Sequence, residues 1–600
     1  MLPATNIARH LPLMAVQQPA HTAVKIPRGR TRGGDIDYLA LTFAELEAEA
    51  AAWQARLTAA GVRCGDRTLV MVRPGLPLIA AVFGLFALGA VPVIIDPGMG
   101  LKSFLACVAR SRPRALVGIP LAQLISRVAR RSFHGVDVRV TASRRLCARL
   151  TDLKFQISNI KLAVAATAAT DLAAVLFTSG STGAPKGVCY EHGMFEAQVR
   201  LVRATYGIAP GEVDLPLLPV FALFNPALGM TTIVPEIDPR RPATVDPEKI
   251  VQAIQQEQVT NSFGSPTLWR KIADHCLAHG IVLPSLRRVL CAGAPVPASL
   301  WADAKRFLPH GRLHSPYGAT EALPVSSISS DEVDLASVRG ACVGRPVPEV
   351  GVKIVAIADQ PIATLAEARE LPPGEIGEII VSGPVVTKCY DALPEATAAA
   401  KIAAAKYQGT SGKHQEPSNK DQVTRTKCQG PSTKYQEDGK VMPPPLVTCD
   451  LELATSAPSG AVWHRLGDCG YLDAAGRLWF CGRKAERVET ADGPMFTEPC
   501  EQVFRQHPRA ARCALIGLGQ RGQQRPAIVV EAKVPDSAQA RVLARELRAL
   551  ALQHEHTTRI NLFYFHPRFP VDVRHNAKIH RLALARWAVT ARGYESDPKR

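Results

Sequence analysis

The stretch "LFTSGSTGAPKGV", Leu176 to Val188, places three glycines and a lysine among hydroxyl side chains, directly after the apolar run "AAVLF". Small residues let backbone N–H groups approach phosphate oxygens, and hydroxyl and ammonium groups supply further donors. The spacing does not match a Walker A loop. A merely flexible loop is the alternative, although a hydroxyl stands at every non-glycine position of "TSGSTG". The stretch predicts a phosphate-binding loop at the end of a strand, with donors from Thr178, Ser179, Gly180, Ser181, Thr182, Gly183 and Lys186.

The sequence around this loop alternates β-branched runs with Ala/Leu-rich helical stretches, from about residue 35 to residue 400. This alternation predicts an α/β fold in which helices cover parallel sheets. After about residue 480 the pattern changes to short strands near "CALIGLG", "AIVVEA" and "NLFYF" with a helix near 536–553, which predicts a small α+β domain. Because 600 residues are too many for one core, we expect a large N-terminal domain over 1–480 and a C-terminal domain over 481–600.

Composition and charge exclude several classes of protein. The net charge is +18, but the arginines are scattered and no RNP, zinc-finger or basic-zipper pattern occurs, so we expect no nucleic-acid partner. The apolar run from Leu76 to Asp96 is divided by Pro92 and predicts a buried helix followed by a buried strand rather than a transmembrane segment. No secretory signal is recognisable. The 14 cysteines show no Cys-x-x-Cys spacing, which favours free thiols in a reducing compartment and a cytoplasmic location.

Two segments interrupt the α/β pattern. Five seven-residue units of the form Lys-x-Gln begin at Lys406 and repeat to Lys434, and "PPP" follows at 443–445. A heptad period invites a coiled-coil interpretation, but no unit supplies an apolar a/d pair and glycine and proline recur. We interpret residues 403–460 as a disordered tandem insertion. The related "KFQISNIK" predicts a shorter insertion at 150–163.

Three further stretches carry chemistry. "SPYGATEALP" offers the Tyr317 ring for an adenine, the Thr320 hydroxyl, and the Glu321 carboxylate as a ligand for Mg²⁺. In "WHRLGDCGYLDAAGRLWFCGRKAERVE", Asp468 suits the two hydroxyls of a ribose and Arg483 suits the same nucleotide. "FPVDVRHNAKIHR" places Lys578 on a short loop, and only its context distinguishes it from an ordinary surface lysine.

Together with the first loop, these stretches resemble the adenylate-forming superfamily of acyl-CoA synthetases, peptide-synthetase adenylation domains and luciferases. The resemblance covers nearly all of the chain outside the two insertions. It implies ATP as cosubstrate, Mg²⁺ on Glu321, and a mobile C-terminal domain whose Lys578 enters the site for adenylation. It also implies catalytic roles for Lys186 and Thr320, ribose contacts from Asp468 and Arg483, and adenine contacts from Gly293, Ala294, Pro295, Tyr317 and Gly318.

Several longer stretches, among them "VFALFNPALGMTTIVPEIDPRRPATVDP" and "FPVDVRHNAKIHR", resemble the olefin β-lactone synthetases of bacterial long-chain hydrocarbon synthesis. This resemblance implies a long-chain 2-alkyl-3-hydroxy acid as substrate, a β-lactone as product, and assembly with a β-lactone decarboxylase and a reductase. Phe221 and Phe224 are candidates for the wall of the alkyl pocket, although core packing explains either ring nearly as well. The alternatives are a long-chain acyl-CoA synthetase or acyl-AMP ligase, and a catalytically silent scaffold.

Two local patterns depart from simple expectations. Many superfamily members have Asp or Lys at the hinge position where this chain has Ala485, so a CoA-using half-reaction cannot be presumed. The sequence "GLGQRG" from Gly517 to Gly522 matches a dinucleotide fingerprint, but a strand-like sequence follows it and predicts a turn.

Overall fold

The computed structural model describes residues 5–142, 161–178, 184–238, 244–404, 462–571 and 579–596. The helices are α1 (His10–Gln17), α2 (Phe43–Ala59), α3 (Leu76–Leu88), α4 (Leu101–Ser111), α5 (Pro120–Val128), α6 (His192–Tyr206), α7 (Asn225–Leu228), α8 (Pro247–Gln256), α9 (Pro266–His279), α10 (Ala298–Phe307), α11 (Pro394–Ala400), α12 (Thr497–Arg505), α13 (Ser537–Ala551) and α14 (Arg581–Ala588).

The strands are β1 (Thr22–Arg30), β2 (Ile36–Thr42), β3 (Arg67–Met71), β4 (Val91–Ile95), β5 (Ala115–Gly118), β6 (Val138–Thr141), β7 (Leu172–Thr178), β8 (Lys186–Glu191), β9 (Val213–Asp214), β10 (Thr231–Ile233), β11 (Asn261–Gly264), β12 (Arg288–Cys291), β13 (Arg312–Ala319), β14 (Ala322–Ser329), β15 (Ala341–Pro346), β16 (Gly351–Val355), β17 (Gly377–Ser382), β18 (Lys401–Ala403), β19 (Val462–Leu472), β20 (Leu478–Arg483), β21 (Val488–Thr490), β22 (Gly493–Met495), β23 (Cys513–Leu518), β24 (Arg525–Glu531), β25 (Leu562–His566) and β26 (Tyr594–Glu595).

A six-stranded sheet in the order β6-β5-β3-β4-β7-β8 carries the glycine-rich loop. Its strands are parallel except β8, which returns antiparallel to β7. The apolar run at 76–96 forms α3 and β4, as predicted; most side chains of α3 are buried in the main core, and those of β4 in a second core against α4. Because parallel strands are buried on both faces, their near-continuous apolar sequence is expected. Among the described residues, no helix is long and apolar enough to cross a bilayer.

A 14-stranded sheet forms the rest of the large domain. Its central strands β9, β11, β12 and β13 are parallel, as predicted from the β/α alternation. From β13 onward, through β14, β15, β20, β19, β17 and β16, the pairs are antiparallel. The alternation rule did not predict this half, because hairpin-connected strands lack intervening helices. The antiparallel half carries two of the predicted nucleotide-binding stretches.

The C-terminal residues form a separate four-stranded sheet, β23-β24-β25-β26, with helices α12 to α14. Its strands enclose a core of their own around Phe504 and Phe563. Strand β20 of the large sheet ends at Arg483, so the chain leaves the large sheet just after the predicted boundary at 480. The stretch "GLGQRG", which matches a dinucleotide fingerprint, ends β23 and forms the turn into β24, as predicted. The α+β character of this part agrees with the sequence prediction.

The long predicted insertion begins and ends at neighbouring strands. Ala403, the last residue of β18, pairs antiparallel with Val462, the first residue of β19. Most of the segment itself, residues 405–461, lies outside the described residues, as do residues 143–160 of the shorter predicted insertion. The last residues of the shorter one, 161–163, are described and contact α2: Lys161 pairs with Glu47 at 3.0 Å, and the backbone N–H of Ala163 donates to Gln54. The long segment therefore joins the described fold between β18 and β19, and the shorter one joins it beside α2.

Candidate active site

The glycine-rich loop connects two paired strands. Thr178 at the end of β7 lies opposite Lys186 at the start of β8, so the loop spans a β-hairpin. Residues Ser179, Gly180, Ser181, Thr182 and Gly183 lie outside the described residues. The Lys186 ammonium lies 4.7 Å from the centre of the Tyr390 ring, where the ring face attracts a cation. This contact holds the lysine at the base of the predicted phosphate loop.

Thr320 and Glu321 form the tip of a second hairpin, between β13 and β14. Ala319 pairs with Ala322, which leaves these two residues as the turn. Gly318 precedes them, and a Cβ there would lie 2.6 Å from the carbonyl oxygen of Ala322, so only glycine fits. The tip thus projects at the carboxyl end of β13.

Neighbouring strands hold this tip in place through its backbone. The Tyr190 hydroxyl, on β8, donates to the carbonyl oxygen of Thr320. The backbone N–H and hydroxyl of Thr387 donate to the carbonyl oxygen of Glu321, at 2.9 and 3.1 Å. Because β8 begins with Lys186, these bonds bring the Glu321 tip and the phosphate-loop lysine to one place.

Tyr390 links the two predicted charged residues, and sequence analysis missed it. Its hydroxyl donates to Glu321 Oε1 at 2.8 Å while its ring carries Lys186. Burial, and then the negative charge of Glu321, raise the pKa of Tyr390, so the phenol stays protonated and remains a donor. In the sequence Tyr390 lies in "VTKCYD", which matches no motif used above. In the structure Tyr390 forms a β-bridge with Val188 of β8.

Lys401 is a second residue that the sequence did not single out. It begins β18, donates to the carbonyl oxygen of Thr387 and lies 3.3 Å from that residue's hydroxyl. Burial lowers the pKa of Lys401 to about 7, although the nearby Glu321 carboxylate opposes this shift. Lys186, Glu321, Tyr390 and Lys401 together are called the Glu321 cluster below.

Asp468, Arg483 and Tyr317, which the sequence analysis assigned to a nucleotide, form a second cluster. Asp468 on β19 lies directly opposite Arg483 on β20, and their side chains pair at 2.8 Å. The Tyr317 hydroxyl donates to Asp468 Oδ2 at 2.6 Å. Burial and then the Asp468 charge raise the pKa of Tyr317, while Asp468 raises the pKa of Arg483. The hydrogen bond orients a carboxylate that is 5% exposed.

The two clusters share one hairpin. Tyr317 and Glu321 are four residues apart on β13 and its turn, and the charge of Glu321 also contributes to the raised pKa of Arg483. Gly293, Ala294 and Pro295 follow the carboxyl end of β12, the parallel neighbour of β13. Ligands of open α/β sheets bind at the carboxyl ends of the strands, which is where these residues lie.

The two predicted pocket phenylalanines pack on different rings. The Phe221 ring stacks on Phe263 of β11 with centroids 3.6 Å apart, and Phe224 lies edge-on to Phe195 at 6.4 Å. Both rings are half-buried against the main core. Phe263 and Phe195 are neighbours that only the tertiary structure reveals.

Lys578 lies outside the described residues, but the residues that follow it are anchored near the hinge. Arg581 pairs with Glu486 at 2.9 Å and with the buried Glu501 at 2.7 Å. On the other side of Ala485, the Lys484 ammonium lies 3.1 Å from Glu378 of the large domain. The hinge position itself is therefore flanked by ion pairs to each domain.

Chemically, these groups suit a polyphosphate nucleotide. Cationic and hydroxyl donors surround Glu321, and Tyr317, four residues before it on the same hairpin, donates to the buried Asp468 carboxylate that is paired with Arg483. Phosphate groups require donors and cations, whereas ribose hydroxyls require an oriented carboxylate. The structure thus brings Lys186 and Glu321 into one cluster, and Tyr317, Asp468 and Arg483 into a second one.

Comparison with known proteins finds relatives that align with nearly the whole chain. A sequence profile of the AMP-binding enzyme family matches residues 14–391. The chain is 41% identical to the olefin beta-lactone synthetase of Xanthomonas campestris over 599 residues, with 98% of each chain covered. It is 40% identical to the olefin beta-lactone synthetase of Stenotrophomonas maltophilia, with 97% of this chain and 98% of that one covered.

Solved structures confirm the fold. An amide bond synthetase from Marinactinospora thermotolerans superposes with a TM-score of 0.68 at 22% identity, over 97% of this chain and 99% of that chain. Its similarity extends across both sheets of the large domain and the C-terminal domain. The chain therefore belongs to the AMP-binding family of adenylate-forming enzymes, in the branch of the olefin β-lactone synthetases.

Proposed function

We propose that the protein uses ATP to adenylate a long-chain 2-alkyl-3-hydroxy acid and then closes the adenylate to a β-lactone, within bacterial long-chain olefin biosynthesis. The observation that supports this most is the 41% identity to an olefin beta-lactone synthetase over nearly the whole of both chains. Adenylation is required because a free carboxylate is a poor electrophile. Attack of the carboxylate on the α-phosphate of ATP forms the acyl adenylate and releases pyrophosphate.

The residues of the site divide this step among them. We assign the β- and γ-phosphates to residues 178–183 and Lys186, the ribose to Asp468 and Arg483, and the adenine to residues 293–295 with Tyr317 and Gly318. Thr320 lies at the hairpin tip, and we assign it to the reacting phosphate. Lys578 neutralises charge as pyrophosphate leaves. The described geometry supports these roles for Lys186, Asp468 and Arg483.

Glu321 fits a magnesium ligand by the chemistry of its donors. Mg²⁺ takes hard oxygen ligands and is usually bound through one or two carboxylates together with substrate phosphates. Tyr390 donates to Oε1, and within the described ranges no hydrogen bond reaches Oε2. The ion, bound there, would supply positive charge against the phosphates. Tyr390 would hold the carboxylate in position for it.

The second step needs no further cosubstrate. The substrate's own 3-hydroxyl attacks the acyl carbonyl, a C–O bond forms, the acyl–phosphate bond breaks, and AMP leaves with the electron pair. Nucleophile and electrophile belong to one molecule, so orientation supplies much of the rate. Phe221 and Phe224 are proposed to contact the alkyl chain. The 3-hydroxyl proton passes to a base as the C–O bond forms.

Product analysis with and without CoA tests the proposal. The purified protein is incubated with ATP, Mg²⁺ and a 2-alkyl-3-hydroxy acid, and lactone, thioester and pyrophosphate are measured. We expect CoA-independent lactone and pyrophosphate. A CoA-dependent thioester with no lactone would instead identify an acyl-CoA synthetase.

Two lysine variants test whether the protein is an enzyme or a catalytically silent scaffold. Lys578→Ala should lower pyrophosphate release strongly, whereas Lys249→Ala, which removes an exposed lysine of α8, should leave it unchanged. Equal release from both variants contradicts the role of Lys578. Assembly with a β-lactone decarboxylase and a reductase, and a cytoplasmic location, remain predictions that co-purification and cell fractionation test.

A further inference from the structure

Helix α5 exposes three large apolar side chains, while its Ala122 and Ile125 face the core. Leu121, Leu124 and Val128 are 59, 57 and 78% exposed. Their spacing of three and four residues places them along one stripe of the helix. An amphipathic surface helix normally turns such a stripe towards the core.

The opposite face of α5 explains why the helix does not rotate. Gln123 and Ser126 are buried, and the Gln123 amide donates to the carbonyl oxygen of Val140 at 3.0 Å. The Ser126 hydroxyl donates to the carbonyl oxygen of Gln123 and accepts from Arg139 at 3.3 Å. Val140 and Arg139 belong to β6, the edge strand of the six-stranded sheet. Specific polar contacts therefore fix the helix with its leucines towards solvent.

The region around this stripe is strongly basic. Over residues 101–142 the sequence has one acidic residue, Asp137, against the basic residues Lys102, Arg110, Arg112, Arg114, Arg127, Arg130, Arg131 and Arg139. Arg127 lies on α5 beside the stripe, and Arg130 and Arg131 follow directly after the helix. All three are exposed, and none forms an ion pair with another described residue.

We propose that this face, defined by Leu121, Leu124, Val128, Arg127, Arg130 and Arg131, docks the protein peripherally on a bilayer that contains acidic phospholipids. Apolar side chains of a surface helix insert at the level of the headgroups, and flanking arginines pair with lipid phosphates. Three apolar side chains are too few for the roughly 800 Å² that each partner buries in a stable protein interface. The cluster of unpaired arginines favours an anionic surface over a neutral one. This inference does not depend on the proposed reaction.

Vesicle co-sedimentation of the full-length protein tests the proposal. Binding is measured to phosphatidylcholine vesicles with and without about one-third phosphatidylglycerol, at low and high salt. We expect binding to the acidic vesicles only, weakened at high salt because exposed charges are screened. Replacing Arg127, Arg130 and Arg131 by Gln should weaken binding roughly fivefold for each arginine, so on the order of 100-fold together.

The apolar stripe is tested separately. The variant Leu121→Gln/Leu124→Gln/Val128→Gln should weaken binding at least about tenfold. Its matched control, Val542→Gln/Arg541→Gln/Arg545→Gln, changes an exposed valine and two exposed arginines of α13 and should bind like the parent. All variants are checked for retained folding by circular dichroism.

Four results would overturn the proposal. The first is no binding to acidic vesicles, and the second is binding that the α5 variants do not change. The third is a loss of self-association in the stripe variant, measured by light scattering, since that would assign the face to a second copy of the chain. The fourth is equal weakening by the α13 control, which would show that overall charge, and not this face, binds the lipid.

Discussion

Replacing Tyr390 by phenylalanine removes one hydroxyl from the centre of the site and leaves the ring. The hydroxyl donates to Glu321 Oε1 at 2.8 Å, and the ring face lies 4.7 Å from the Lys186 ammonium. A hydrogen bond to a charged group contributes about 1.5–3 kcal/mol. If that bond persists in the transition state, Tyr390→Phe should lower kcat/KM for ATP by about 10- to 150-fold, since 1.36 kcal/mol corresponds to a factor of ten.

Replacing Tyr390 by leucine also removes the aromatic face. A cation over an aromatic ring contributes about 0.5–2 kcal/mol, so this variant should lose a further factor of about 2 to 30. Pyrophosphate release is measured for both variants at several Mg²⁺ concentrations. The loss in Tyr390→Phe should be largest at low Mg²⁺, because the phenol positions the carboxylate proposed to bind the ion.

The control for this experiment is Tyr206→Phe. Tyr206 is also buried, and its hydroxyl bonds the hydroxyl of Ser327 at 3.1 Å, away from the Glu321 cluster. It should lower stability slightly and leave the Mg²⁺ dependence unchanged. Activity of Tyr390→Phe within twofold of the parent at limiting Mg²⁺ would refute the positioning role of Tyr390.

Three further predictions concern stability and the insertion. Arg465→Met removes the partner of the buried Glu378, 2.6 Å away, and should lower the free energy of unfolding by about 3 kcal/mol in urea titrations. This value is the low end for a broken buried pair, because Lys484 remains beside the carboxylate. The more exposed pair of Arg477 with Asp473 should contribute less than about 1 kcal/mol. Burial lowers the pKa of His192 from 6.5 to about 4, so the unfolded chain binds more protons between these pH values and stability falls as pH falls from 6.5 to 4; His192→Gln should flatten this slope by up to about 1.4 kcal/mol per pH unit. Replacing residues 404–461 by a short glycine-containing turn should leave the melting temperature and adenylation activity close to those of the parent, because the flanking strands already pair; an unfolded product would contradict this.

Elements and contacts formed by residues that are close together in the sequence were predictable from it. The buried helix and strand at 76–96, the turn at "GLGQRG" and the C-terminal strands each follow from local periodicity or turn residues, and all three were confirmed. Asp468 and Arg483 were assigned to one nucleotide from a single stretch, and β19 and β20 place them directly opposite each other. Short-range patterns suffice wherever a hairpin joins the two residues.

Residues that meet only through the fold were not predictable. Tyr390 and Lys401 are 69 and 80 positions from Glu321, and their own segment carries no motif. The same limit applies to α5, where the exposure of Leu121, Leu124 and Val128 became visible only in the packed structure. Gln123 donates a hydrogen bond to Val140 of the edge strand and Ser126 accepts one from Arg139, and these contacts hold the stripe towards solvent.

The sequence by itself determined the fold class and, through resemblance, the family, and it predicted the phosphate loop and the nucleotide-binding stretches. Glycine, hydroxyl and charged residues at fixed spacings record local backbone and ligand chemistry, so they can be read without coordinates. The tertiary structure decided which side chains lie together and which are buried. Tyr390 joins Lys186 to Glu321, and burial lowers the pKa of Lys401. A basic face exposes Leu121, Leu124 and Val128. Distance and burial are properties of the packed chain, because both depend on contacts between residues far apart in sequence.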